Sequence, residues 1–272
     1  MQSSVNRMVD YKLIKSKQRV SEHGEVYSPN WLVQEMLSLI PKNATKIESR
    51  YLETSAGEGA FLTAILLRKL DLVFEKYSSL SKRKFYTLVA LSNVYGLELL
   101  KDNVEVIKLR MRLVIDSFFS LHNPGKLNRR FLESADVILD ANIIHINALN
   151  FKVPLSDSNN KLIRDESGEI VYSPDNAKIS EWIIDYSTFS LQQVEYYYKD
   201  VVLEQQQRYE LNEKAKEKNE EQVEQLSFFS LEDDSFEQLE LFDVDDIETY
   251  VTPAKPIHVH ERKKYTDLYK SE

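Results

Sequence analysis

The residues of this sequence best suited to chemistry gather around its glycines. Only six of the 272 residues are glycine, well below the average of about 7%, so each needs a backbone reason. Gly57 and Gly59 in ETSAGEGAF follow the short apolar run RYLET and precede AFLTAILLRKLDLVFEKY, whose apolar residues recur with helical spacing. A strand, a glycine turn and a helix bring backbone close to a ligand, and the helix start offers free N–H groups to a carboxylate or phosphate. Glu53 ends the strand, at the crevice where open α/β sheets bind ligands. Gly96 lies in VYGLEL, and the acid Glu98 near the end of that strand is suited to accept hydrogen bonds from both hydroxyls of a ribose. Together these residues describe a site for an adenosine-type cofactor, although a lone GxG serves equally well as a structural turn. A dinucleotide fold would want GxGxxG and an acid about 20 residues on. Leu62 stands where the third glycine would be and Glu98 lies farther away, which disfavours NAD.

The surrounding elements alternate. Ser28-Pro29 has the form of a helix start, a hydroxyl cap followed by a proline at the first helical position, and WLVQEMLSLI runs to Pro41. A helix near 82–92 leads to the strand VYGLEL, and 101–121 is amphipathic, with Val104, Ile107, Met111, Val114, Ile115 and Phe118 on one side. A further helix near 128–141 precedes the strand NIIHIN. This order predicts an α/β fold with a mostly parallel, doubly wound sheet. Beyond Phe151 the pattern weakens to a hairpin around Ser167-Gly168, a strand in KISEWIIDY, and a polar helix from about 190. The expected organisation is an arm over 1–18, a ligand-binding domain over 19–190, and a polar helix with an acidic, largely disordered tail over 191–272.

Composition narrows the function classes. There is no cysteine, so neither disulfides nor thiolate-bound metals hold the fold and no thiol acts as nucleophile. No signal-peptide core stands at the start, and about 18 uncharged apolar residues never run together, so a cytoplasmic protein with no membrane association is expected. The net charge of −9 is uneven: residues 203–250 hold 16 acids against four bases, a balance of −12, leaving +3 for the rest. Charge alone does not mark the core as a nucleic-acid binder. His258 and His260 alternate in PIHVH, but no third ligand stands nearby and no metal is expected.

The succession HGEVYSP, ETSAGEGAF, VYGLELLKDNV and NIIHINAL resembles the adenine-specific DNA methyltransferases of restriction–modification systems. The resemblance covers about residues 19–151 and continues more weakly through SEWIIDY. It implies a Rossmann-like methyltransferase fold binding S-adenosylmethionine and acting on DNA. By that resemblance Tyr27, Ser28 and Pro29 close over the methionine portion, Glu53, Ala56, Gly57 and Gly59 hold its amino-acid end, Glu98 holds the ribose, and Asn147, Ala148 and Leu149 face the adenine. Two departures stand out. Thr54-Ser55-Ala56 replaces the family's Pro-Ala-Cys-Gly stretch, and Asn147 stands where Asp is common, which implies weakened cofactor binding.

The family's Asn/Asp-Pro-Pro-aromatic motif, which holds the target amine and stacks on the flipped base, has no counterpart, because no Pro-Pro pair occurs. Asp185 in DYSTF and the segment Tyr172-Ser173-Pro174-Asp175 are the nearest candidates. A second polypeptide supplying catalysis or target recognition is therefore expected. The unlike alternative is a catalytically inactive methyltransferase fold with a regulatory or interaction role. Two similar pentapeptides, QLSFF at 225–229 and QLELF at 238–242, look like peptides that dock on the bacterial sliding clamp, although the favoured reading of the same residues is that they pin the tail to its own core.

Overall fold

The computed structural model describes residues 28–40, 46–125, 127–229 and 251–270, the side chains of 214–229 excepted. Tyr27 and the pentapeptide at 238–242 lie outside the described residues, as do the side chains of 225–229.

Among the described residues the chain is α/β. Helix α1 (Asn30–Ser38) precedes three parallel strands, β1 (Tyr51–Glu53), β2 (Val94–Glu98) and β3 (Ile143–His145), which lie side by side in that order. Each crossover is a pair of helices: α2 (Ala60–Lys76) and α3 (Leu80–Leu91), then α4 (Lys101–His122) and α5 (Arg129–Asn142). The expected apolar stripes form the core. On α2, Leu62, Leu66, Leu70 and Val73 are fully buried at steps of four, four and three, and on α4 every residue named from the sequence is buried. Asn128 caps α5, its side chain accepting from Phe131 N–H at 3.0 Å. The start of α1 is shifted: Pro29 is the N-cap, helix begins at Asn30, and no side chain caps it, so the Ser28 hydroxyl does not take the capping role expected of it.

Glycine is required in β2 for packing. A Cβ on Gly96 would stand 2.6 Å from Leu62 Cδ1 of α2, so the missing side chain is what seats that helix on the sheet. The opposite face, presented by Leu97, is covered by a smaller cluster containing Ile146, Ala177 and Tyr198.

The expectation of a mostly parallel sheet is corrected beyond β3. Strand β4 (Lys152–Pro154) pairs antiparallel with β5 (Tyr172–Asn176), and β6 (Lys178–Asp185) pairs antiparallel with β7 (Ser190–Tyr197) over eight residues. The connection of β6 to β7, residues 186–189, permits only this direction, since a parallel return needs a crossover of about a dozen residues or more, and the longer segment 155–171 folds back on itself through antiparallel bridges. The turn expected at Ser167-Gly168 forms, with Asp165 N–H bonded to Glu169 O and Gly168 at φ +86°. The β6–β7 hairpin crosses residue 190, where the sequence suggested a domain edge, and the polar helix α6 (Tyr198–Phe229) starts eight residues later than expected. It runs through 219–229, a stretch read from the sequence as disordered; Glu220, Glu221, Gln222, Glu224, Gln225 and Leu226 there are good helix formers. The segment 251–270 is also not a plain tail. It buries Val251 and Leu268 and adds β8 (His258–Val259) and β9 (Lys263–Lys264) to β7. Among the described residues no helix is long and apolar enough to cross a membrane.

Candidate functional site

Parallel pairing of β1 with β2 sets Glu53 beside Gly96, and pairing of β2 with β3 sets Glu98 beside His145. The carboxyl ends of the three strands thus bring two acids and a histidine to one edge of the sheet. The backbone after β1 folds over this edge. Ala56 N–H donates to Leu97 O at 3.0 Å, and Gly59 N–H donates back to Ala56 O at 2.8 Å. Gly57 (φ +53°) and Gly59 (φ +76°) both lie in the left-handed region that disfavours a side chain, and Gly59 is the N-cap of α2. They differ in surroundings. A Cβ at Gly59 would meet Ile107 of α4 at 3.0 Å, whereas one at Gly57 would meet nothing within 4 Å. Gly59 is held by packing, and Gly57 faces open space.

Glu98 ties the turn to its own strand. Its Oε2 accepts from Gly57 N–H at 2.7 Å, and its Oε1 accepts from Leu100 N–H at 3.0 Å and from Asn103 Nδ2 at 3.2 Å. Both Glu98 and Asn103 are buried. Glu53 lies close by in a different state. Burial, reinforced by repulsion from Glu98, pushes its carboxyl up to about 8, and its Oε2 is buried with no hydrogen-bond partner. At neutral pH this side chain is a neutral acid beside a carboxylate, able to donate one hydrogen bond or, on ionising, to receive a cation.

Two further residues were not singled out from the sequence. Arg110 of α4 donates to Glu58 O at 2.9 Å and lies 3.2 Å from the Glu58 carboxylate, both side chains largely buried, so α4 clamps the middle of the glycine turn. An Arg flanking the apolar stripe of an amphipathic helix, as Arg110 does between Ile107 and Met111, carries no distinguishing mark in sequence. His145 ends β3 with Nε2 3.0 Å from Leu99 O; burial lowers its pKa, against the hydrogen bond to Leu99. Its place as the last residue of NIIH was the available signal.

The remaining expected residues divide. Ala56 is part of the turn and buried. No hydrogen bond among the described residues ties Ser28 or Pro29 to Glu53 or to the turn. Asn147 follows β3, but its amide is used: Nδ2 donates to the Tyr172 hydroxyl at 2.7 Å, and Oδ1 accepts from Leu149 N–H at 3.0 Å. The oxygen expected to accept from an adenine amine closes a local turn instead. Ala148 packs in the cluster around Leu97, and Leu149 is 91% exposed.

No family model, curated protein or solved structure matches this chain.

Asp185 is not brought to the site. Strand β6 begins at Lys178, which lines a cavity of about 420 Å³ together with Lys101 and His145, at the carboxyl side of the sheet. Seven residues later, roughly 23 Å on at strand rise, Asp185 turns the chain next to Tyr186, whose ring packs against Phe85 and Tyr86 of α3 and feels the charge of Glu48 ahead of β1. Its Oδ1 accepts from the N–H groups of Ser187 and Thr188 and from the Ser187 hydroxyl, and its Oδ2 lies 3.4 Å from Arg262. These bonds hold the carboxyl far below the ordinary carboxylate range. It is a hairpin-turn residue. The 172–175 segment lies nearer through Tyr172, yet Asp175 is exposed and bonded within its own strand to Ser173. His258 and His260 meet edge to face at 4.2 Å, and among the described residues no group of three His, Cys, Asp or Glu side chains could hold a metal ion.

Proposed function

We propose that the crevice at the carboxyl ends of β1 and β2 binds S-adenosylmethionine, and that the chain is the cofactor-binding subunit, with a Rossmann-like methyltransferase fold, of a DNA adenine methyltransferase. The observation that carries this reading is the pair Glu53 and Glu98 on adjacent parallel strands, bridged by a left-handed glycine turn whose Gly57 amide Glu98 holds at 2.7 Å. The chemistry of the cofactor fits the chemistry of these groups. Its ammonium would be received by an ionised Glu53, and its ribose hydroxyls would donate to the Glu98 carboxylate on displacing the Gly57 N–H that Oε2 accepts. Its carboxylate would lie against the amino end of α2, whose first turn has no acid.

Methyl transfer to an adenine amine also needs rigid acceptors aimed at the amine. Asp185 stands at the wrong end of the sheet and Asp175 is exposed, so a second polypeptide is assigned that role and reads the DNA sequence. The same absence favours a second reading, a methyltransferase fold that senses the cofactor without catalysis. Calorimetric titration with S-adenosylmethionine tests the shared claim. Binding by the parent chain that weakens at least tenfold in Glu98→Ala supports it, and no heat from a folded parent chain sinks it. Methylation assays with candidate partner chains then separate the two readings.

A further inference from the structure

We propose that a second face, on the amino side of the parallel sheet, binds the phosphodiester backbone of nucleic acid. It is assembled from the first turns of α3 and α5 and from residues 262–270. Four contacts make these segments continuous. Ser81 Oγ lies 2.9 Å from the Tyr265 hydroxyl, Ser134 Oγ donates to Tyr265 O at 3.4 Å, Lys84 Nζ stands 5.7 Å from the Phe131 ring centre, and the Arg130 guanidinium lies 5.7 Å from that of Tyr269.

Four cations on this face, Lys82, Lys84, Arg130 and Lys264, have no carboxylate within 4 Å among the described residues. Arg129 and Lys270 stand with them, paired to Glu133 at 2.7 Å and Asp267 at 2.6 Å, and Arg130 opposes the charge on Lys270. Unpaired cations packed against like charges are stabilised when a polyanion covers them. Neither helix carries an acid in its first turn, so the helix-end potentials add to the side-chain charge. In the sequence much of the negative charge falls outside these segments, since 203–250 alone carries −12.

The occupant follows from what the face lacks. None of the exposed large hydrophobic residues falls in 80–84, 129–134 or 262–270. Protein partners are anchored by buried apolar and aromatic side chains, whereas phosphates need only cations spread along a track. Tyr265 N–H donates to Phe189 O at 2.9 Å, which sets the first turns of α3 and α5 beside the tip of the β6–β7 hairpin, at the end of the sheet away from the crevice. The face anchors nucleic acid without presenting a base to the methyl donor. The choice of DNA as first probe rests on the methyltransferase reading; the face itself does not.

Fluorescence anisotropy with a short labelled DNA duplex, on the full chain, tests it. The expected result is binding whose affinity falls steeply with salt, with a log–log slope of about −3 to −4 for four phosphate contacts. Lys82→Glu combined with Lys264→Glu is expected to weaken binding about tenfold or more and to flatten the slope by about 2. Arg130→Gln weakens it as an independent check, and Lys161→Glu, on the loop joining β4 to β5, leaves it unchanged. Melting curves establish that each variant is folded. Equal affinity for an RNA duplex supports a shared backbone contact, and tighter RNA binding supports the face with RNA as its source. No binding at low salt, full affinity in the folded variants, or stronger binding to polyglutamate than to the duplex would overturn the proposal. S-adenosylmethionine binding is measured separately, so failure of the cofactor reading leaves this titration intact.

Discussion

Glu53 couples the crevice to protons. Its carboxyl is raised to about 8 in the fold, first by burial and then by Glu98, against 4.5 in an unfolded chain. Between those values the folded state holds a proton that the unfolded state has lost. Stability from this group is therefore fully present below about 4.5 and declines as pH rises through about 8. Denaturant unfolding across that window is expected to show the decline in the parent and a flatter profile in Glu53→Gln. Identical profiles would assign the pH dependence to other groups. The same residue makes ligand binding pH-dependent, because the ammonium of the proposed cofactor requires the ionised carboxylate, so binding tightens toward pH 8 and releases a proton.

Asn142, the last residue of α5, shows how single side chains join elements. Its Nδ2 lies within 3.4 Å of Leu91 O, Ser92 O and Val94 O, where α3 turns into β2, and its Oδ1 accepts from Trp182 Nε1 of β6 at 2.9 Å. Asn142→Leu leaves several buried polar groups unpaired and is expected to cost more than about 3 kcal/mol, read as a lowered unfolding midpoint. A loss under 1 kcal/mol, at about the size of a typical single hydrogen bond, would mean that water replaces these bonds. The helices and the three parallel strands were legible in the sequence because their signals are local: apolar steps along α2 and α4, and short apolar strands beside glycine. Strand β7 was not. Its residues SLQQVEYY do not alternate, and although the adjacent β6 pairs with it over eight residues, its other edge is covered by β8 and β9, which lie more than 60 residues later and outside any local window. Site legibility divides the same way. Glu53, Gly57, Gly59 and Glu98 share one turn and two adjacent strand ends, so their proximity follows from motif order. Asp185 was misplaced because sequence does not show which end of the sheet a hairpin tip reaches. Gly96 was placed correctly, but its role is to admit Leu62 rather than a ligand.

At the scale of the whole molecule the two sides of the parallel sheet differ in charge. The carboxyl side of the sheet carries buried acids and the glycine turn, and the amino side carries cations with no carboxylate within 4 Å among the described residues. The acidic stretch of 203–250 accounts for a net charge that hides this division. On the proposed reading, the methyl-donor site lies on one side and nucleic-acid anchoring on the other, and base delivery falls to a partner chain. The most direct measurement of the donor site is hydrogen exchange of the backbone amides with and without S-adenosylmethionine. The account predicts slowed exchange confined to 54–62 and 98–103, centred on Gly57, at cofactor concentrations that saturate calorimetric binding. Unchanged exchange in those segments, or protection concentrated on another surface, would contradict it.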